Sequence, residues 1–363
     1  MKTYNEILSD VTKTATKIPQ SDYLDAGKYR IFDQGKEYSV GFSNDEQGVV
    51  TDYPYIIFGD HTRVVKYVDE PCYIGADGVK LLKVINKDFA PRYVYYNILA
   101  KPIESQGYAR HFKFLKEIQF TEKSLADQQK IAAHLDKIQS AIDNKKQQLA
   151  LLDEAVKSKF IEMFGENPVE SGKWKIERLG NLCTITSGGT PDRKNEEYWK
   201  NGTIPWIKTT ELQNNELSIV EEYITEKGLD ESAAKIVPEE TILLAMYGQG
   251  KTRGMTAFLK IQASTNQACA CILPTESKEL SQRFIWYFLI MNYENVRNLA
   301  VGCNQLNLNS SLVKNIEIPV PPLSLQNQFA AFVQQIDKSK SLVKQQLADL
   351  QELLDSKMQQ YFA

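Results

Sequence analysis

The chain reads as an α+β protein in which two mixed α/β globular heads are separated by two long antiparallel helices. The helices form an intramolecular coiled coil, and the whole has pseudo-two-fold symmetry. Three observations predict this. Residues 124–164 and 322–362 are copies of one long helical segment, each copy follows a globular stretch, and the two globular stretches share almost no sequence. A shift of 198 positions lays Lys146-Gln147-Gln148-Leu149-Ala150 on Lys344-Gln345-Gln346-Leu347-Ala348. The same shift lays Ala132-Ala133 on Ala330-Ala331, Ser158-Lys159 on Ser356-Lys357 and Phe164 on Phe362, and 15 of the 41 aligned positions are identical. An internal repeat constrains architecture before any local assignment is made.

Taken in order, residues 1–122 form the first head. Pro54-Tyr55-Ile56-Ile57-Phe58 and Thr62-Arg63-Val64-Val65-Lys66-Tyr67 flank Gly59-Asp60-His61, which predicts a hairpin between β-branched and aromatic runs. Lys116-Glu117-Ile118, followed by Phe120, predicts a strand closing the head, matched by Lys314-Asn315-Ile316 and Ile318 in the second. The beginnings also resemble one another: Ile7-Leu8-Ser9-Asp10-Val11 aligns with Arg178-Leu179-Gly180-Asn181-Leu182.

Residues 123–165 are the first spacer helix. Its stripe of Ile131, Leu135, Ile138, Ile142, Lys145, Leu149, Leu152, Val156, Lys159 and Met163 keeps a 3-4 alternation. The second spacer helix, 321–363, repeats it with Phe329, Val333, Ile336, Lys340, Val343, Leu347, Leu350, Leu354, Lys357 and Tyr361. Two lysines interrupt each stripe, so both read as coiled-coil seams. At 1.5 Å per residue each helix spans roughly 60 Å. The second helix starts where the second head ends, so covering the first seam requires it to run back.

Between the helices lies the second head, 166–320. Gly165 to Gly172 is a linker, and 241–245 and 254–259 predict a second hairpin. Ser281 to Leu299 has helical spacing, with Phe284, Phe288, Met291 and Val296 toward a core. Pro319, Pro321 and Pro322 end a strand and prepare a helix start.

Composition excludes several classes. No apolar run approaches the ~18 residues that cross a bilayer. The opening MKTYNEILSD lacks the apolar stretch of a signal peptide, so a cytoplasmic location is expected. Five cysteines form no CxxC pair and the three histidines complete no zinc spacing, so free thiols and no metal are expected. The formal net charge of −3 is not basic, yet residues 241–275 hold Lys251, Arg253 and Lys260 without an acid. Residues 105–116 hold Arg110, His111, Lys113 and Lys116, again without an acid, while acids concentrate at 211–240. Local field, not total charge, decides whether a polyanion docks.

Candidate contacts follow from these tracts. Ala245-Met246-Tyr247-Gly248-Gln249-Gly250-Lys251-Thr252 approaches a phosphate-loop pattern, but Arg253-Gly254 and a strand-like run follow where a helix is needed. The alternative is a glycine-flexible loop that brings Tyr247, Gln249, Lys251, Thr252 and Arg253 to a DNA groove, Gln and Arg offering paired hydrogen bonds to base edges. A plain polar hairpin is the other reading of the same residues. Asn266, Gln267, Asn304, Gln305 and Asn307 are amide-rich candidates for adenine or phosphate, with surface solvation as the alternative. The turn Ser187-Gly188-Gly189-Thr190-Pro191 could offer backbone amides to phosphate. In the first head His61, Thr62 and Arg63 form the reader cluster, with Lys66 and Arg110 as basic neighbours. There is no H-x-E zinc site, G-x-S-x-G elbow or dinucleotide fingerprint, and the sole Pro-Pro lies between Val320 and Leu323. No catalysis by this chain alone is expected.

The chain resembles the specificity subunit of Type I restriction–modification systems. The resemblance rests on Trp174 with Leu179-Gly180, Gly188-Gly189-Thr190-Pro191, Tyr198-Trp199 with Gly202, and Ile204-Pro205-Trp206-Ile207. It rests further on Ile224-Thr225-Glu226-Lys227-Gly228-Leu229, Pro321-Pro322-Leu323 with Gln326, and Phe58-Gly59-Asp60-His61-Thr62-Arg63. The first head departs by lacking a Trp-initiated start and a Gly-Gly-Thr-Pro turn. The resemblance implies that the heads are target-recognition domains, each reading half of a bipartite, asymmetric site in double-stranded DNA. It implies that the helices act as a ruler and dock two modification subunits that methylate adenine N6, and that restriction/translocase subunits join them. No cofactor is expected in this chain; S-adenosylmethionine, ATP and Mg would reside on the partners. The competing expectation is a two-headed coiled-coil adaptor that binds proteins and has no DNA specificity.

Overall fold

A computed structural model describes residues 1–75, 77–107, 109–248, 250–302 and 306–363. It divides into two compact units, Met1–Leu149 with Leu342–Ala363, and Ala150–Ser341. Both long helices therefore contribute one half to each unit, so the units do not coincide with a division at the helix starts.

In the first unit the elements are α1 (Tyr4–Ile7), β1 (Leu8–Asp10), β2 (Tyr29–Phe32), β3 (Gly41–Ser43), β4 (Tyr55–Gly59), β5 (Val65–Val68), β6 (Cys72–Ile74) and β7 (Val79–Val84). Then come α2 (Pro91–Leu99), α3 (Phe112–Leu115) and the first long helix, α4 (Leu125–Phe164). Strands pair in the order β1-β7-β4-β5, all antiparallel. A side sheet runs β3-β2-β6, with β2 antiparallel to β3 and parallel to β6. Successive side chains of a strand face opposite ways, and both faces of the main sheet are covered. Ile56, Phe58 and Leu82 enter a core with Tyr93, Leu135, Ile142, Leu354 and Phe362. Their neighbours Ile57 and Leu81 enter another with Phe32, Val68 and Ile74.

The second unit contains β8 (Lys175–Arg178), α5 (Leu179–Leu182), β9 (Ile185–Ser187), β10 (Ile204–Ile207), β11 (Asn215–Leu217), β12 (Glu222–Ile224), α6 (Glu226–Asp230) and β13 (Ile242–Ala245). It continues with β14 (Thr256–Leu259), β15 (Ser264–Thr265), β16 (Cys269–Ile272), α7 (Gln282–Met291), α8 (Tyr293–Asn298), α9 (Ser310–Lys314), β17 (Glu317–Val320) and the second long helix, α10 (Leu323–Phe362). Its main sheet runs β9-β16-β13-β14, all antiparallel, with β11 added parallel to β14. Its side sheet runs β12-β10-β15, antiparallel and then parallel. Four strands of the main sheet and three of the side sheet thus repeat the order of the first unit, although the head sequences diverge, and β11 and the antiparallel pair β17–β8 are additions of the second. Ile242 and Leu244 face the core shared with the long helices, and Leu243 and Ala245 face the other.

The repeat has a different register at the heads' beginnings from the one the sequence suggests. Helix α1 precedes β1 as α5 precedes β9, which sets Tyr4–Ile7 against Leu179–Leu182, four positions from the alignment of Leu8 with Leu179. The physical equivalence is burial: Tyr4 and Leu179 each plug the core at the start of the short helix. A second repeat emerges in α2 and α7. A shift of 191 lays Arg92-Tyr93-Val94-Tyr95-Tyr96 on Arg283-Phe284-Ile285-Trp286-Tyr287. Instead of one helix over 281–299 there are two, α7 and α8, separated at Asn292, whose side-chain amide donates to the Phe288 carbonyl at 3.0 Å.

Each long helix starts as its sequence dictates. Ser124 caps α4, its hydroxyl accepting from the Asp127 amide at 3.1 Å and donating to the Asp127 carboxylate at 2.7 Å. Pro322 opens α10, its carbonyl accepting from the Gln326 amide at 3.2 Å. Within each unit the two helix halves run antiparallel. In the first, the Tyr361 hydroxyl meets His134 Nδ1 at 2.8 Å. In the second, Lys340 pairs with Asp153 at 2.6 Å, and the rings of Phe160 and Phe329 lie 5.5 Å apart. The expected stripe is buried at Leu135, Ile142, Val156, Phe329, Val333 and Val343. Phe160 and Phe164, off that stripe, are buried more deeply than Met163 because they also reach Phe284 of α7.

Phe160→Ala removes a ring packed on Phe164, Phe284 and Phe329. It should cost about 3–5 kcal/mol of stability. Urea unfolding followed by tryptophan fluorescence reads this, since all four tryptophans lie in residues 174–286 of the second unit. An unchanged midpoint would contradict this packing.

Candidate nucleic-acid interface

In the second unit, the candidate residues converge on one edge of the main sheet. Antiparallel pairing brings the end of β13, the start of β14, the start of β16 and the end of β9 to the same side. Residues 246–255 connect β13 to β14 there, and two glycines, Gly248 at φ +146° and Gly250 at φ +58°, let the chain turn back. Strand follows strand, so the loop has no helix N-terminus to hold a nucleotide phosphate. Tyr247 and Lys251 are exposed and Thr252 is half-buried. Gln249, Asn304 and Gln305 lie outside the described residues.

Two side chains of α8 hold this loop from behind. The Tyr293 hydroxyl donates to the Lys251 carbonyl at 2.6 Å, and the Arg297 guanidinium donates to the carbonyls of Gly250 and Arg253. Neither was an expected site residue. Their i, i+4 spacing puts them on one helix face, which is the signal that could have found them. The Met246 amide donates to Ala268 at 2.8 Å, which joins the loop to the Asn266–Gln267 turn. Thr190 in turn donates to the Gln267 side chain. The structure therefore assembles Thr190, Tyr247, Lys251, Thr252, Asn266 and Gln267 along one edge. Asn307 is half-buried and its main chain pairs with Val301.

The glycine turn packs into the protein instead of offering its amides to a phosphate. The Gly189 amide donates inward to Thr265 at 2.8 Å, and its carbonyl accepts from the Trp206 indole at 2.9 Å. A Cβ at Gly188 would meet the Thr265 carbonyl at 2.1 Å, and one at Gly189 would meet the Ala233 backbone at 2.3 Å. These glycines permit backbone segments to touch; their packing gives no phosphate cradle.

The same edge recurs in the first unit, at the β4–β5 turn beside the start of β7. Gln34 organises it, its side chain donating to the Asp77 carbonyl at 3.0 Å and accepting from the His61 amide at 3.2 Å. The Asp60 carboxylate accepts from the Phe112 amide at 2.8 Å, which fixes α3 and the preceding Arg110 beside the turn. Thr62 and Arg110 are exposed and His61 is half-buried.

Three basic candidates are committed elsewhere. Lys66 is buried and paired with Asp33 at 3.4 Å; burial pushes its ammonium below the ordinary value, against the pull of Asp33. It points into the protein, not toward a phosphate. Arg63, at φ +63°, turns its guanidinium onto the Ile103 carbonyl at 3.2 Å, and Arg253 does the same to the Leu306 carbonyl. Both arginines occupy the hairpin of their unit and strap the segment that leads to α3 or α9. In both, Nε is buried with no hydrogen-bond partner among the described residues.

No group of His, Cys, Asp or Glu among the described residues could hold a metal ion. Burial pushes the Cys72 thiol up to about 12 and that of Cys183 up to about 11. No helix among the described residues is long and apolar enough to cross a membrane.

A family model described as the Type I restriction modification DNA specificity domain matches residues 5–154 and 171–352. The Escherichia coli protein named Type I restriction enzyme EcoR124I/EcoR124II specificity subunit is 25% identical over 98% of this chain and 91% of its own length. The MjaIX specificity subunit of Methanocaldococcus jannaschii is 29% identical over 45% of this chain and 38% of its own length. Among solved structures, a Type I restriction–modification system S subunit from M. genitalium matches with a TM-score of 0.61 and 15% identity, over 98% of this chain and 94% of that one, so the fold is shared.

Gly189→Ala should destabilise the second unit by about 1–3 kcal/mol, because the new methyl group meets backbone that cannot swing away. A thermal melt with the wild-type midpoint would show that the turn has room.

Proposed function

Because the chain belongs to the Type I restriction modification DNA specificity family, as a non-catalytic specificity subunit rather than an enzyme, we propose that it reads a bipartite, asymmetric site in double-stranded DNA. Each head is a target-recognition domain that reads one half. The carrying observation is the repetition of one sheet-and-helix frame with unlike loops on the same sheet edge. A shared frame presents both readers in the same manner, and unlike loops give unlike half-sites. The chain directs adenine-N6 methylation by two modification subunits and cleavage by restriction/translocase subunits; S-adenosylmethionine, ATP and Mg reside on those partners.

The proposed contacts are Thr62, Arg110 and His61 in the first head. In the second they are Thr190, Tyr247, Lys251, Thr252, Asn266 and Gln267. Lysine and arginine at such an edge neutralise phosphates and release counterions, while amides and hydroxyls address base edges. Gln249, Asn304 and Gln305 stay in the proposal on sequence grounds. Lys66, Gly188 and Gly189 leave it, and Arg63 and Arg253 act as struts that shape the loops.

Replacing residues 171–320 by the corresponding domain of a relative should change one half-site in the methylome of cells that also express the modification partner. The other half-site should persist, and an unchanged methylome would contradict the proposal. Lys251→Ala in the assembled methyltransferase should weaken binding across sequences and flatten its salt dependence by about one counterion. Lys66→Met, by contrast, should leave the slope alone. A slope that moves with Lys66 and not with Lys251 reverses the assignment.

A further inference from the structure

Gln128 and Gln326 occupy the same position in the two long helices, 198 residues apart, and neither side chain is accessible to solvent, each being 0% exposed. In the first unit the Gln128 carbonyl oxygen accepts from the Ala90 amide at 2.8 Å. Its amide nitrogen donates to the Asp88 carbonyl at 2.7 Å and to the Lys123 carbonyl at 2.9 Å. In the second unit the Gln326 oxygen accepts from the Ser281 amide at 2.8 Å. Its nitrogen donates to Glu279 at 2.7 Å and to Pro321 at 2.8 Å. Position for position the two sets are the same. One bond goes to the residue capping α2 or α7, one to the residue two before it, and one to the residue five before the glutamine itself.

Three features separate this arrangement from ordinary core packing. All six partners are main-chain atoms, so the bonds survive any change of head side chains. Each glutamine joins three segments: the loop ahead of the head's helix, the approach to the long helix, and the long helix itself. Apolar contacts are non-directional and tolerate sliding, whereas a buried donor or acceptor that leaves its partner is heavily penalised. The stripe of Ile131, Leu135 and Ile138 holds the head on its helix; the glutamine sets the register and angle at which it is held.

We propose that Gln128 and Gln326 are positioning residues for target recognition. Each locks its head to its own long helix, so that the reading edge is presented at one fixed place. The inference rests on the DNA-reading function proposed above. A head released from this clamp still carries its reading loops but tolerates half-sites that are displaced along the DNA.

The test uses the full chain assembled with its modification subunits and the bipartite site found in its methylome. Binding is measured on duplexes with the natural interval between half-sites, one base pair shorter and one longer. In Gln128→Met and Gln326→Met, methionine fills the volume but offers none of the bonds. The preference for the natural interval should fall about tenfold in either variant, the equivalent of one lost hydrogen-bonded constraint of about 1.4 kcal/mol. Base preference within each half-site should stay as in wild type. Ala90→Pro is the second variant: Ala90 sits at φ −71°, which suits proline, and the change removes the donor to the Gln128 carbonyl oxygen while leaving the glutamine in place. It should lower the interval preference in the same direction even where Gln128→Met fails to fold. Uniformly weaker binding with an unchanged interval preference in the variants that fold would overturn the inference, because glutamines that only stabilise the fold weaken all three duplexes alike. A wild-type complex without an interval preference would remove the DNA-reading proposal itself, and this inference with it.

Discussion

Each long helix carries an apolar stripe that neither water nor its own head can satisfy alone, and the fold is the solution to that constraint. The stripe is covered from two directions within each unit, by the head's sheet and helix on one side and by the opposite long helix on the other. Tyr93 of α2 lies 5.1 Å from Phe362 of α10, and Phe164 of α4 touches both Phe284 of α7 and Phe329 of α10. Helices in water owe most of their stability to such faces. The compact units consequently cut through the long helices, since a head without its two helix portions would expose the core cluster it shares with them. Residues 342–363 complete the first unit although they are the farthest from it in sequence.

What the two units share is mostly indifferent to side-chain identity. The strand order and the antiparallel pairing consist of main-chain hydrogen bonds, and the two glutamine clamps ask for one side chain each, whose partners are all main-chain atoms. The cores demand apolar volume, met by Tyr93 and Tyr95 in one unit and by Phe284 and Trp286 in the other. Close packing requires total volume and pattern more than particular residues. Sequence can therefore drift far while the frame persists, and the loops at the sheet edge are freest of all because they contribute little to either core. A scaffold of this kind separates holding from reading.

This division also explains which features were legible in the sequence. The long helices were, because a seam imposes a 3-4 alternation over forty residues and a duplicated register repeats it. Both hairpins were, because glycine turns between β-branched runs have few other solutions. The repeated topology of the heads was not, since strands of two to six residues leave too little pattern to align; the similarity of Leu8 to Leu179 even pointed four positions astray. The sheet edge proposed for reading was legible only in the exposure of its loops. Lys251 and Thr62 do sit on it, yet Lys66, Arg63 and Arg253 stand as close in sequence and turn inward. Side-chain direction at a hairpin depends on pleat parity and on what lies behind the loop. Burial of Lys66 follows from its place opposite Ile57 in the sheet, and Arg253 meets a carbonyl more than fifty residues away. The clamps were visible as an identity in the repeat, but only the bonds to Ala90 and Ser281 reveal what that identity does.

Charge completes the argument for a polyanion at the edge of the second unit. An acid-rich stretch, 211–240, adjoins the acid-free loop and would repel phosphate if its carboxylates were unpaired. Four of them have partners. Lys208 pairs with Glu221 and Glu222 at 2.8 Å each, Arg193 also meets Glu222, and Arg283 meets Glu216. Glu211 is occupied by the Lys208 and Glu221 amides at 2.9 and 3.1 Å. Pairing of this sort adds little to stability at an exposed surface. It does cancel field, and beyond about 8 Å at physiological salt the remainder is screened. Lys251, exposed on the acid-free glycine loop with Arg253 and Arg297 behind it, then places positive charge at this edge although the chain's net charge is −3.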